Sequence, residues 1–175
     1  MITNNADPRI KIFFAVAVTV LVLGFVGIIW AIKSESVDTS DKGMPKLTLE
    51  TTNFDFGDVS MSNGLAKKTV KIKNDGDGVL KINRMQTSCM CTKVVLNIGG
   101  ERSPEFGMPG HGGGASGWSQ VIKPGESGEL EIIFDPLAHG PDAVGAITRT
   151  VDIFSNDGGQ DGSEAVITFK GNVTK

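Results

Sequence analysis

Two cysteines, Cys89 and Cys91, are separated only by Met90. Two thiolates this close together favour soft metal ions, above all Cu(I). The residues that could complete a metal shell are Met85, Met90, Met108 and His111. Three interpretations are open at the pair: structural cysteines, free or joined in a disulfide; a copper site; and thiol redox catalysis. Redox catalysis is the weakest of them, because reactive thiols often lie at helix N-termini and this sequence predicts no helix here.

The elements around the pair decide between these interpretations. The predicted strand Met90–Leu96 begins at the pair, and on a regular strand residues i and i+2 project from the same face. Their Cα atoms would then lie about 6.5–7 Å apart, which is poor geometry for a disulfide. Either the chain bends at the pair and a disulfide forms, or two free thiols remain side by side.

Elsewhere the chain offers little catalytic chemistry. Residues 112–117 have the spacing G-x-G-x-x-G, but the following sequence predicts a strand and not the helix that a dinucleotide site requires. Residues 74–77 lack the closing carboxylate of a calcium loop, and we interpret them as a hairpin turn. His139 follows a predicted turn without a partner that can be named, so we interpret it as a surface-loop histidine. We therefore expect no enzyme and no small-molecule substrate.

The composition excludes a further class of function. The chain has 17 Lys and Arg against 20 Asp and Glu, which gives a formal net charge of −3. Without a basic surplus it has little with which to neutralise phosphates, so we expect no nucleic-acid partner.

Short runs of alternating polar and apolar residues, separated by turn signals, follow residue 45. No helical period interrupts them, so we predict an all-β fold: an immunoglobulin-like antiparallel β-sandwich of seven or eight strands over residues 46–175. The predicted strands are Lys46–Glu50, Phe54–Val59, Lys67–Lys73, Val79–Met85, Met90–Leu96, Gly128–Phe134, Ala146–Phe154 and Glu164–Phe169.

A glycine-rich insertion over residues 97–117 shows no strand alternation. Insertions of this length in compact domains are uncommon and are often functional. We predict either a mobile surface loop or a loop that docks on a partner. The candidate partner-binding residues in and beside it are Met108, His111 and Trp118.

An uncharged apolar run covers residues 12–32. As a helix it would span roughly 31 Å, the thickness of a bilayer core, and we predict one transmembrane helix there. Trp30 suits the membrane interface, while Gly24 and Gly27 would allow another helix to approach closely. Residues 33–45 are polar and predict a linker to the sandwich.

Positive charge sets the predicted orientation. Arg9 and Lys11 lie on the short N-terminal side, within residues 1–11, whereas the other side begins with a mixed and mostly acidic stretch. This favours a cytoplasmic N-terminus and a periplasmic or otherwise extracytoplasmic sandwich, tethered to the inner (plasma) membrane.

Several motifs occur in the order in which a large bacterial family of exported immunoglobulin-like domains carries them. The sequence resembles this family, which has no assigned function, and is more distantly similar to hydin-type and major-sperm-protein-type sandwiches. The resemblance implies a sandwich, an exported setting and no catalytic residues. In the family the cysteine element usually has Gly where this chain has Met90. The motifs are Phe54-Asp-Phe-Gly-Asp-Val59, Asn74-x-Gly76, Ser88-Cys-Met-Cys-Thr92, Ile122-Lys-Pro-Gly-Glu126 and Ser155-Asn156.

These observations predict a non-catalytic membrane protein. We expect its extracytoplasmic domain to act as an accessory or scaffolding subunit of a larger membrane complex, for example a respiratory or photosynthetic one, with other membrane-protein subunits and the lipid bilayer as partners. We expect no cofactor in that role. The alternative is a tethered copper-handling protein that binds the metal through Cys89 and Cys91.

Overall fold

A computed structural model describes residues 9, 12, 17–23, 43–111, 116–159 and 162–175. The chain divides into two units, Met1–Asp38 and Thr39–Lys175. In the first unit, residues 17–23 are helical and exposed. Within the residues described here, no helix is both long enough and apolar enough to span a bilayer. Most of the predicted span 12–32, with Gly24, Gly27 and Trp30, lies outside those residues, as does most of the predicted linker.

The second unit is all-β and consists of two five-stranded sheets. In sheet A the strand order is β1-β3-β8-β5-β6, and in sheet B it is β2-β10-β9-β4-β7. A 3-10 turn, Met61–Asn63, follows β2. The strands are β1 (Leu47–Leu49), β2 (Asn53–Ser60), β3 (Ala66–Asn74), β4 (Leu80–Thr87), β5 (Thr92–Ile98), β6 (Glu101–Arg102), β7 (Gln120–Ile122), β8 (Ser127–Phe134), β9 (Gly145–Ser155) and β10 (Ser163–Thr174).

This architecture confirms the predicted all-β sandwich, but it has ten strands where seven or eight were predicted, and one strand pair differs in direction. The strand pairs are antiparallel except β2 and β10, which are parallel and place Phe54 opposite Phe169. β2 and β10 are far apart in sequence, so no hairpin dictates their direction, and a parallel pairing is open to them.

The core follows from the alternation along each strand. On β3, Val70 and Ile72 are fully buried, whereas the intervening Lys71 is exposed. Four phenylalanines fill one region between the sheets. Their rings form stacked and edge-to-face pairs, the arrangements that aromatic rings prefer. They are Phe54, Phe56, Phe134 and Phe169. The ring centroids of Phe54 and Phe169 are 5.4 Å apart, and those of Phe56 and Phe134 are 6.4 Å apart.

The sandwich has two ends, which β3 connects. The end near Asn74, here called the linker end, receives the chain from the N-terminal side; it comprises residues 43–47, 74–80, 122–127 and 155–159. The end near Ala66, here called the disulfide end, comprises residues 60–66, 87–92, 134–145 and 173–175. The nine residues of β3 separate the two ends by roughly 26 Å.

A buried asparagine organises the linker end. The side-chain amide of Asn74 donates hydrogen bonds to the carbonyl oxygens of Gly78 (2.7 Å) and Ile122 (2.9 Å). Its side-chain oxygen accepts from the backbone N–H groups of Lys46 (3.2 Å) and Gly76 (3.0 Å). The predicted hairpin at residues 74–77 is wrong in one respect, because this turn passes from sheet A to sheet B. In a hairpin, hydrogen bonds between the two strands would pair the backbone groups beside the turn. Here the Asn74 side chain pairs such groups instead.

Glycine is required at position 76 of this turn because the incoming chain passes directly over it. A Cβ atom added to Gly76 would lie 2.5 Å from the backbone nitrogen of Lys46. Asp77 holds the same segment, since its Oδ1 atom accepts a hydrogen bond from the backbone N–H of Met44 at 2.7 Å. The Asn-x-Gly motif is therefore structural: Asn74 bonds to the segment that enters the sandwich, and Gly76 leaves room for this segment to pass.

The glycine-rich segment is partly built into the sandwich. β5 extends to Ile98 and turns back at Gly99 and Gly100 into β6, so the expectation of no strand over residues 97–117 is wrong at its N-terminal end. Farther along, Phe106 pairs with Val94 of sheet A, and Gly107 accepts a hydrogen bond from Thr87 N–H of sheet B at 3.2 Å. The segment thus bridges the two sheets along one side. Tertiary hydrogen bonds to β5, and not local alternation, determine its path.

Candidate functional site

Cys89 and Cys91 lie in the turn between β4 and β5 and form a disulfide, with their Cα atoms 5.2 Å apart. The predicted strand Met90–Leu96 is wrong at its start, since β5 begins at Thr92. Thr92 N–H donates to the Cys89 carbonyl at 3.1 Å and closes the turn. The spacing expected on a regular strand therefore does not apply, because the chain bends between the two cysteines.

The cysteine turn forms with Met90 at its centre, where the family that this sequence resembles usually has glycine. Met90 is 43% exposed, and no non-glycine residue in the described ranges has a positive φ. A residue with ordinary backbone angles therefore suffices there, and its side chain faces solvent.

His139 contacts the disulfide. The residue is exposed in the loop after β8, as the surface-loop interpretation predicted, but it has a partner that the sequence did not reveal, because its Nε2 atom is 3.1 Å from Cys89 Sγ. The loop that carries it is fixed to the cysteine turn by a 2.8 Å hydrogen bond from Asp135 N–H to the Cys91 carbonyl. Asp135 also caps its own turn, accepting from Leu137 N–H at 2.8 Å.

Arg149 contacts the other sulfur. Its Nε–H donates to Cys91 Sγ at 3.3 Å, and one of its terminal nitrogens donates to the Thr148 carbonyl at 2.8 Å. Strand β9 is held beside the cysteine turn by paired hydrogen bonds between Ser88 and Thr150, at 2.8 and 3.1 Å. No sequence signal marks Arg149, since it lies on an ordinary strand far from the cysteines in the chain.

Cys89, Cys91 and His139 therefore form one cluster, with a sulfur or ring nitrogen from each within 4.8 Å of the others. Both cysteines are buried, and the histidine lies on the solvent side. As a disulfide the pair cannot bind a metal as thiolates do, because the thiolate is the metal-binding form. After reduction the same atoms would offer two thiolates and an imidazole.

The other predicted candidates lie elsewhere. Met85 is 2% exposed and belongs to the core. Met108 is half-buried and His111 is exposed in the glycine-rich segment. Trp118 is half-buried, with its ring 4.7 Å from that of Phe106, so it packs against the sandwich. The partner-binding role of Met108, His111 and Trp118 stays a prediction, as does that of Gly24, Gly27 and Trp30.

Two surface carboxylates have shifted pKa values for structural reasons. Hydrogen bonds from Lys67 and then Arg102 lower the pKa of Glu131, whose oxygens lie 3.0 and 2.8 Å from the two side chains. The Lys73 side chain, 2.5 Å away, is the main cause of the lowered pKa of Asp75. Both carboxylates take part in surface ion pairs, and neither belongs to the cysteine cluster.

Solved structures with a similar fold are distant in sequence. A protein of unknown function from Porphyromonas gingivalis aligns with a TM-score of 0.52 and 20% identity, over 80% of this chain and 51% of that one. This chain therefore spans about half the length of that relative. Human CEP192 PapD-like domain 7 aligns with a TM-score of 0.46 and 11% identity, covering 74% of this chain and 86% of that one. The Escherichia coli chaperone DraB aligns with a TM-score of 0.45 and 9% identity, covering 74% of this chain and 56% of that one.

These structural similarities concern the fold alone. No curated protein sequence matches the chain. Residues 47–98 match the sequence profile of a family described as a protein of unknown function, DUF1573. The matched range runs from β1 to the end of β5 and includes the disulfide turn, so this part of the chain is similar to that family.

Proposed function

We propose that this protein is a non-catalytic, single-span membrane protein whose sandwich serves as an accessory or scaffolding subunit of a larger membrane complex, for example a respiratory or photosynthetic one. In this proposal residues 12–32 cross the inner membrane, the N-terminus is cytoplasmic and the sandwich is periplasmic. The partners are other membrane-protein subunits and the lipid bilayer.

The observation that carries the proposal is the difference between the two ends of the sandwich. At the linker end, the incoming chain is held by Asn74, Asp77 and Asp157, the last accepting a hydrogen bond from Leu47 N–H at 3.0 Å. At the disulfide end, the loops between strands expose large apolar side chains. They are Leu65 (55% exposed), Met90 (43%), Leu137 (46%) and Val144 (51%).

A domain that is fixed at one end and exposes four large apolar side chains at the other, against Met44 alone among the described residues of the linker end, suits a tethered protein-binding module. The four exposed side chains offer apolar surface at one end of the sandwich for contact with another protein. The loop that carries Leu137 and Val144 is itself held in place, because Asp135 N–H bonds to the Cys91 carbonyl and the Asp135 carboxylate accepts from Leu137 N–H. A preorganised surface of this kind loses little conformational entropy when it binds.

The disulfide supports an extracytoplasmic location. Disulfides persist in oxidising compartments such as the periplasm and are rare in the cytosol. The uncharged run 12–32 and the cationic residues before it favour the same arrangement, with the sandwich on the outer side.

Substitutions at the two ends test the proposal. The full-length double variant Leu137→Ser, Val144→Ser should lose its co-purifying membrane subunits after mild detergent extraction, because the apolar contact is removed. Met44→Ser is the matched control, since Met44 is 74% exposed at the linker end. This control should retain the subunits. Equal retention by both variants would contradict an interface at the disulfide end.

A further inference from the structure

We infer that Cys89, Cys91 and His139 form a Cu(I) site when the disulfide is reduced, and that the disulfide switches this site off. This inference goes beyond the accessory role and does not depend on it. It adds a third ligand that the sequence did not reveal, and it assigns a role to the oxidation state of the cysteine pair.

The ligand atoms are already close to their places. The cysteine turn holds both sulfurs on a short bend, and His139 Nε2 lies 3.1 Å from Cys89 Sγ. Breaking the S–S bond requires the sulfurs to separate by only an ångström or two, since metal–sulfur bonds of about 2.3 Å span thiolates that are roughly 4 Å apart. The three-atom cluster, within 4.8 Å, is of this size.

The backbone around the cluster keeps the ligands together after reduction. Asp135 N–H bonds to the Cys91 carbonyl, and Thr92 N–H bonds to the Cys89 carbonyl; neither bond involves a sulfur atom. The cysteines are buried, whereas His139 is exposed and lies at the surface where a metal ion would arrive. The site therefore has a fixed base and an open side.

The ligand set selects Cu(I) over Zn(II). Two thiolates and an imidazole are soft to borderline ligands, and three of them suit Cu(I), whereas protein zinc sites usually complete a tetrahedron with a fourth ligand. Among the residues that the structure describes, the cluster contains no fourth His, Cys, Asp or Glu.

The charge balance favours the same ion. Cu(I) with two thiolates carries a net charge of −1, and the guanidinium of Arg149, 3.3 Å from Cys91 Sγ, compensates for it. Zn(II) with the same ligands is already neutral, so the nearby cation gives it no such advantage.

The switch is a balanced two-electron reaction. A dithiol reductant breaks the Cys89–Cys91 bond through a mixed disulfide; its own two thiols become a disulfide, and two cysteine thiols are formed. Cu(I) then binds both sulfurs and the His139 ring nitrogen, and the two thiol protons are released to solvent. A disulfide oxidant reverses the sequence: it takes up the two electrons, with two protons from solvent, and becomes two thiols, while the Cys89–Cys91 bond re-forms and Cu(I) is released.

Competition for Cu(I) tests the inference on the full-length chain. The detergent-solubilised protein is reduced anaerobically with a phosphine, which is then removed, and is titrated against the coloured Cu(I)–bicinchoninate complex. The reduced chain should withdraw one Cu(I) per molecule, and the oxidised chain should withdraw none. Copper X-ray absorption of the loaded protein should show two sulfur ligands and one nitrogen ligand.

Variants identify the ligands. Cys89→Ser and Cys91→Ser should each abolish the withdrawal of Cu(I). His139→Ala should weaken it by roughly tenfold or more, because even outer-shell partners of metal ligands are worth about 10- to 100-fold in affinity. His111→Ala is the matched control: the chain has two histidines, and this one lies in the glycine-rich segment. It should bind as the unsubstituted protein does.

Three results would overturn the inference. The first is a reduced chain that leaves all Cu(I) with the chelator. The second is an equal effect of His139→Ala and His111→Ala, which would remove His139 from the site. The third is tighter binding of Zn(II) than of Cu(I) by the reduced chain, measured by competition with chelators of known affinity for each ion.

Discussion

At the residue scale, the chemistry of this chain depends on contacts between distant positions. The cysteine pair is visible in the sequence, but His139 and Arg149 reach it only because the loop after β8 and strand β9 meet at the disulfide end. No local pattern encodes such a meeting. Sequence reasoning could therefore find the two cysteines, but not their contacts with His139 and Arg149.

The disulfide itself should contribute little to stability. A bridge across a single intervening residue closes a very short loop, and the chain-entropy relation gives about 1.5 kcal/mol for such a loop at 25 °C. Asn74 should matter more, because its removal leaves several buried backbone groups without partners, at about 1–3 kcal/mol for each.

We therefore predict that Asn74→Ala destabilises the sandwich by more than the double variant Cys89→Ser, Cys91→Ser. The measurement is the urea midpoint of each full-length protein in detergent. A larger loss in the cysteine variant would show that the cluster, and not the linker-end turn, is the main structural brace.

At the element scale, the alternation of polar and apolar residues predicted eight strands close to their observed positions. Tertiary pairing determined the short strand β6 and the exact strand ends. β6 is too short to show a period and forms because β5 pairs with it. β7 lies in the segment after residue 117 for which the sequence predicts a strand, and it pairs with β4. β10 extends to Thr174, beyond the predicted end at Phe169, because β9 and β2 flank it on both sides. The Gly171-Asn172 pair resembles a turn locally, yet it lies within β10, an interior strand of its sheet.

An ion-pair cluster joins three strands of sheet A and gives the sandwich an acid-sensitive contact. Glu131 on β8 lies between Lys67 on β3 and Arg102 on β6, and its pKa is lowered from the ordinary value of 4.5. The unfolded chain therefore binds this proton at higher pH than the folded chain does. The stabilisation is present above about pH 4.5 and is lost as the pH falls through the lowered pKa.

We predict that Glu131→Gln changes stability little at neutral pH, because exposed pairs contribute little, and weakens the decline of stability below about pH 4.5. Urea midpoints measured across this range for the variant and for the control Glu129→Gln, on the same strand, test this prediction. A decline as steep as that of the unsubstituted protein would mean that other carboxylates dominate the acid response.

At the scale of the whole molecule, the sandwich joins the incoming chain at one end and exposes apolar side chains at the other. The motifs of the linker end are structural, since Asn74, Gly76 and Asn156 all serve the turns there. Asn156, for example, accepts from Lys81 N–H at 2.7 Å and donates to the Val79 carbonyl at 3.0 Å. The features available for binding and chemistry, namely the exposed apolar residues and the cysteine cluster, lie at the opposite end.

Native sizing of the protein from its own membranes tests the proposed accessory role most directly. The membranes are extracted with a mild detergent, the extract is separated on a native gel, and the proteins that co-migrate with the chain are identified by mass spectrometry. The proposal predicts a stoichiometric set of larger membrane subunits in the same band. A chain that is recovered alone, at the size of its own monomer in detergent, would contradict it.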